Sequence, residues 1–255
     1  SETQQLRVSK DHVLAVVQSE ANTEVAKLPL SKAVQIMVPV DGHVAVQLAG
    51  GRVEIIGVTL PAPPREAPRP AAPSRPAAPR EPASAKPPAA PAKVTLQAVR
   101  HFDAPSSRLV GPCGPAALLF VSGEKAEVRG VDGRVQRALA AGTTIHTARC
   151  SADGAQVLVA PASTKELLHF AKDRQWQRKA IAYAAGPARS LVFGPQGRWL
   201  GAATPQSGFV QFWWSKTHKP AGVLAADVPA YNDVALRPDG KEIATLTDDG
   251  IRLYS

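Results

Sequence analysis

Asp11 with His12, and Asp41 with His43, set a carboxylate beside an imidazole, the residue types that move protons or hold a metal ion. Both pairs fall where the chain reads as a turn, and His101, His146, His169 and His218 are scattered. There is no glycine-rich phosphate loop, G-x-S-x-G, H-E-x-x-H or C-x-x-C. Asp248-Asp249-Gly250 has the composition of a hairpin turn, since the further oxygen ligands of a calcium loop are missing. Cys113 and Cys150 are too few for a disulfide framework and lack metal spacing, which favours a reducing compartment. The expectation is a protein with no catalytic residues, no cofactor and no metal.

What stands out instead is cations set among aromatics. Lys172, Arg174, Arg178 and Lys179 surround Trp176; Lys216 and Lys219 follow Phe212-Trp213-Trp214; Arg134 and Arg137 form an earlier group. Aromatic rings among Lys and Arg can stack on bases or grip an acidic peptide while the charges neutralise phosphates or carboxylates. The chain of 255 residues carries +9, and the part outside residues 61–93 still carries +5. Such a balance favours anionic partners and also suits an ordinary solvated surface.

The elements that would position these groups follow from an internal repeat. "CSADGAQVLVAPASTKELLHF", "FGPQGRWLGAATPQSGFVQFW" and "LRPDGKEIATLTDDGIRLY" share one plan: a polar turn ending in Gly, an apolar strand, a polar gap, and an alternating strand with an aromatic near its end. Gly154, Gly197 and Gly240 are 43 residues apart both times. Gly114 lies 40 before Gly154, and Gly42 lies 72 before Gly114, a gap that returns to 39 once the 33 residues of a proline-rich segment are left out. A weaker copy begins at the Lys10-Asp11 turn, one strand short. Apolar runs such as "AALLFV" and "AQVLVA" fit strands buried on both faces, and alternating runs fit half-exposed ones.

A period of 40 to 45 residues with several short strands resembles the WD40 type of β-propeller. "VQFWW" occupies the Trp-Asp position, with Trp213 in place and Trp214 where Asp is expected, whereas "LLHF" and "IRLY" lack both letters. The resemblance implies an all-β propeller of about six (five to seven) blades, residues 1–60 and 94–255 supplying them. Trp213 is then a packing residue, and Trp214 the better candidate for an exposed contact. Turns joining third to fourth strands leave a propeller on the same face as the glycine turns, so the basic residues of separate blades would converge on one rim. Because "IRLYS" is a third strand with no fourth, an N-terminal strand such as "QQLRVS" is expected to complete the last blade.

Residues 61–93 hold twelve of the 24 prolines. Pro70, Pro73, Pro76, Pro79 and Pro82 recur every third residue, one ridge of a polyproline II helix, with Arg69 and Arg75 on another and Arg80 nearby. The segment is expected to be a disordered insertion after the third strand of the second blade, and Arg beside P-x-x-P is what aromatic-lined grooves recognise.

The leading functional expectation is a non-enzymatic interaction scaffold in a larger complex, with a basic face and a proline-rich tethering arm. Two alternatives stand beside it: an RNA-associated propeller in RNA processing or ribosome assembly, and an N-terminal barrel-sandwich domain linked to a separate propeller. A homo-oligomer has no specific support. With no apolar run long enough to span a membrane and no signal-peptide pattern, the expected compartment is the cytoplasm, export with a removed leader being the alternative.

Overall fold

The computed structural model describes residues 4–18, 23–40, 42–59, 94–183, 185–204, 209–225, 233–237, 239–247 and 250–254. The candidate docking arm, Arg69 to Arg80, lies outside these residues.

Six small antiparallel sheets follow one another along the chain, the blades of a β-propeller. The first comprises β1 (Gln4–Val8), β2 (Val13–Gln18) and β3 (Thr23–Pro29). The second comprises β4 (Val34–Val40), β5 (His43–Leu48), β6 (Arg52–Thr59) and β7 (Thr95–Asp103), so that residues 60–94 join its third strand to its fourth. The third holds β8 (Arg108–Pro112), β9 (Ala117–Ser122), β10 (Lys125–Gly130) and β11 (Val135–Ala140). The fourth holds β12 (Ile145–Cys150), β13 (Gln156–Pro161), β14 (Glu166–Ala171) and β15 (Lys179–Ala182). The fifth holds β16 (Ser190–Phe193), β17 (Trp199–Ala203), β18 (Phe209–Trp214) and β19 (Pro220–Ala225), and the sixth β20 (Asp233–Leu236), β21 (Ile243–Thr247) and β22 (Gly250–Tyr254).

The chain divides into two compact units. One, residues 1–29 and 58–97, contains the first sheet with the end of β6 and the start of β7. The other, residues 30–57 and 98–255, contains the rest, and in it the first strands touch in succession, β4 to β8, β8 to β12, β12 to β16 and β16 to β20. Its core is a series of layers between neighbouring sheets. Leu118 and Phe120 of β9 face the second sheet with Val40, Val53 and Ile55, while Leu119 and Val121 of the same strand face the fourth with Val157, Val159 and Phe170. Likewise Leu158 and Ala160 of β13 turn to the fifth sheet, against Leu200 and Trp213. A second strand is thus buried on both faces, which is why it reads as an unbroken apolar run.

The repeat's glycines close the turns between first and second strands. The backbone N–H of Gly154, Gly197 and Gly240 donates to the carbonyl three residues earlier, on Ser151, Gly194 and Arg237. All three adopt positive φ (71°, 65° and 75°), the conformation that favours glycine.

Three expectations are corrected. The N-terminal strand does not complete the last blade: β1 pairs with β2, from Gln4 opposite Gln18 to Val8 opposite Leu14, and the sixth sheet has three strands among the described residues. A hairpin around Lys10-Asp11 closes a loop of a few residues, whereas pairing with the last sheet would close one of more than 200, at a larger entropic cost. A separate N-terminal barrel-sandwich domain is also overturned, because Val38, Val40, Val53 and Ile55 share one core layer with Leu109, Leu118 and Phe120. Finally, Cys113 and Cys150 form a disulfide with Cα atoms 5.0 Å apart. Cys113 follows β8 and Cys150 ends β12, and the contact of these two strands brings together residues 37 apart in sequence.

Candidate functional site

On β14, Leu168 and Phe170 point into the layer shared with the third sheet, while Leu167 and His169 point toward the fifth. Toward the glycine-turn edge the apolar layer gives way to polar groups, and His169, 1% exposed, is the first of them. A cleft of about 920 Å³ opens there. Its walls are the first turns of the fourth and fifth sheets (Ala155, Gln156, Gln196, Gly197, Arg198) and their third-to-fourth-strand turns (Asp173, Arg174, and Trp214 to Thr217).

The polar groups at its base form one network. Gln156 Nε2 donates to the Gly197 carbonyl at 3.0 Å, so its Oε1 is left to accept from His169 Nε2, also at 3.0 Å. With its proton on Nε2, His169 offers the lone pair of Nδ1, which accepts from Arg174 Nη2 at 2.8 Å. His218 Nε2, reaching in from the turn after β18, is 2.9 Å from that same Nδ1 and 3.2 Å from Arg174 Nη1. Burial first, then the Arg174 charge and His218, push His169 down to about 3; burial, Arg174 and Lys179 also lower His218. Both imidazoles are neutral near pH 7, and the cluster carries its charge on Arg174.

This burial makes stability depend on pH. The unfolded chain protonates His169 near 6.5 and the fold only near 3, so through this interval the unfolded state binds the extra proton and stability falls as pH falls. The slope approaches about 1.4 kcal/mol per pH unit. Between pH 6 and pH 4 the wild type should therefore lose about 2 kcal/mol more than His169→Phe, which installs the residue that Phe212 supplies at the equivalent place on β18. Urea titrations of both proteins at each pH would check this, equal pH slopes being the contrary result.

The turns that wall the cleft are conformationally unusual. Five non-glycine residues have positive φ among those described, and Gln175 (53°), Trp176 (62°), Gln196 (55°) and His218 (56°) belong to this edge. Each such residue costs about 1–2 kcal/mol, a strain that the flanking strands hold in place. Trp176 is wedged against the layer between the third and fourth sheets, with the Arg137 guanidinium 5.4 Å from its ring centre. A smaller cleft of about 360 Å³ lies beside it, lined by Gly114, Arg137, Asp153, Lys172 and Trp176 among others.

The sequence-derived candidates thus separate. Arg174, Trp214 and Lys216 line the larger cleft, and Arg137, Lys172 and Trp176 the smaller. Lys179, on β15 opposite His169, acts on His218 through its charge. Lys219 lies in the turn that carries His218, its carbonyl accepting from the Trp214 N–H. Arg178 donates to the Ala141 carbonyl at 2.8 Å and ties the fourth sheet to the third, while Arg134 is exposed beside Asp132 and lines neither cleft. Of the aromatic trio, Trp213 is buried against Tyr183 at 5.6 Å between ring centres, Phe212 packs edge-on against Trp199 at 5.0 Å, and Trp214 is 50% exposed.

Sequence reasoning missed Gln156, His169, Arg198 and His218. One signal existed: in the 43-residue repeat His169 is the counterpart of Phe212, a polar residue at a packing position. No helix among the described residues is long and apolar enough to cross a membrane. The sequence matches no protein-family model and no curated protein.

Proposed function

We propose that this WD40-like propeller is a non-enzymatic interaction module whose glycine-turn edge, along the third, fourth and fifth sheets, binds an acidic segment of a partner protein. The observation that carries the reading is the convergence of Arg174, Arg198 and Lys216, against the single carboxylate of Asp173, around an exposed indole in the larger cleft. Asp173 is itself 3.8 Å from Arg174 and largely exposed, a weak partner in water. The reading is non-enzymatic because the imidazoles are tied to Arg174 and Gln156 rather than to a nucleophile, and the nearby Ser215 hydroxyl donates to the Arg198 carbonyl at 3.1 Å.

A protein partner is favoured over RNA by the aromatics. Single-stranded nucleic acid is held on a succession of open stacking rings, and here Trp214 is exposed while Trp213 is buried and Trp176 is covered by Arg137. The buried disulfide supports an oxidising compartment, and with it the exported alternative over the cytoplasmic one. The proline-rich arm fits a tethering role in a larger complex.

A fluorescein-labelled decapeptide of alternating glutamate and leucine tests the proposal by anisotropy. Binding should weaken as salt rises, fall about tenfold in Arg198→Glu/Lys216→Glu, consistent with loss of charge-assisted contacts, and vanish when glutamine replaces glutamate. Tighter binding of oligouridylate than of the peptide would transfer the face to the nucleic-acid reading.

A further inference from the structure

The larger cleft holds a conflict that its own groups do not resolve. His169 Nδ1 is one acceptor faced by two donors-in-waiting, Arg174 Nη2 and His218 Nε2. If His218 carries its proton on Nε2 it satisfies Nδ1 but confronts the Arg174 Nη1 donor 3.2 Å away; if it carries the proton on Nδ1, its Nε2 accepts from Arg174 Nη1, but two imidazole lone pairs then face each other at 2.9 Å. In either tautomer the guanidinium meets imidazole nitrogens rather than a closely paired carboxylate, since the nearest one, Asp173, stands 3.8 Å from its Nε and is largely exposed. An entering carboxylate gives the guanidinium a charged acceptor in place of His218, frees His218 to donate to His169, and offsets the Arg174 charge that, after burial, lowers His218.

We propose that this cleft is the anchor for one carboxylate side chain of the acidic segment, received by Arg174 and bound together with a proton that His218 takes up. The proposal rests on the interaction reading above and adds its specific subsite. The groups facing His218 are His169 on β14, Arg174 and Lys179 around the turn from β14 to β15, Asp173 beside them, and Lys216 and Lys219 on its own turn. Of these His169 is held neutral by burial far below the working range, so a proton taken up between pH 8 and 6 belongs to His218. Ala155, Ala171 and the Trp214 indole line the rest of the cleft, suiting an apolar residue next to the acidic one.

The test is calorimetry of the glutamate–leucine decapeptide with the full chain, in Tris and in HEPES, from pH 8 to pH 6. Linkage predicts affinity that rises as pH falls, with uptake approaching about one proton per peptide. His218→Gln should abolish the uptake and flatten the rise in affinity between pH 8 and pH 6. Arg174→Gln should weaken binding about tenfold or more, the usual consequence of losing a charge-assisted hydrogen bond, with an unchanged melting temperature showing that the variant is folded. Binding without proton uptake, or uptake that persists in His218→Gln, overturns the anchor. Binding weakened by Arg198→Glu/Lys216→Glu but indifferent to Arg174→Gln also overturns it while the basic-face reading stands, and a decapeptide that does not bind the wild type at all removes both.

Discussion

Trp213→Ala should cost about 3–5 kcal/mol of folding stability, the range for deleting a fully buried large aromatic. Trp213 is 2% exposed in the layer between the fourth and fifth sheets, where it meets Leu158, Leu200 and Tyr183. The neighbouring strands are already paired on both sides of β18 and leave little scope for collapse into the void. Trp214→Ala is the internal control. Half exposed at the end of the same strand, it should change stability by less than about 0.5 kcal/mol and weaken decapeptide binding several-fold instead. Denaturant titration of the two variants with the binding assay above separates the roles, and similar stability losses for both would contradict the assignment.

The second large effect concerns the bond between Cys113 and Cys150. It joins the start of the third sheet to the start of the fourth and closes a loop of residues 37 apart, for which the chain-entropy account gives roughly 4 kcal/mol. In a chain of this length that corresponds to a fall in melting temperature of roughly 8–15 °C. Both half-cystines are buried, so reduction should be slow in the native protein and fast once it is unfolded. Scanning fluorimetry of the wild type with and without reductant, beside Cys113→Ala/Cys150→Ala, tests this. Two titratable thiols in the unreduced, denatured protein, with no effect of reductant on melting, would be the opposite result.

The parts of this fold that were legible in the sequence are those set by local chemistry. Turn glycines at Gly154, Gly197 and Gly240 mark where a positive φ is needed, and the runs of β13 and β17 after the first two of these turns are apolar because both faces of those strands are covered. The repeat places Trp213 on a packing face, and the period of two sets Trp214 on the opposite side of the strand. What escaped depends on which strands become neighbours. Nothing local to Cys113 and Cys150 says that β8 and β12 touch, and nothing in "QQLRVS" distinguishes pairing with β2 from pairing with the last sheet. The same holds for the cleft. His169, Gln156 and Arg174 meet within the fourth sheet, and His218 joins them only because a third-to-fourth-strand turn of the fifth sheet reaches over to them. The cations and Trp214 were visible as residue types, but their division between open cleft and structural tie depended on geometry, as Arg178 on the Ala141 carbonyl shows.

The central claim is that the glycine-turn edge of the fourth and fifth sheets is where an acidic segment docks. Backbone amide shift mapping of the isotopically labelled protein, titrated with the glutamate–leucine decapeptide, tests it most directly. The account predicts shifts concentrated at Ala155 and Gln156, Lys172 to Trp176, Gln196 to Arg198 and Trp214 to Lys219, with the indole N–H of Trp214 moving and that of Trp213 still. Shifts centred instead on the outer strands β11, β15 and β19, or on the opposite turns around Ser122 to Lys125 and Ser163 to Lys165, would contradict it.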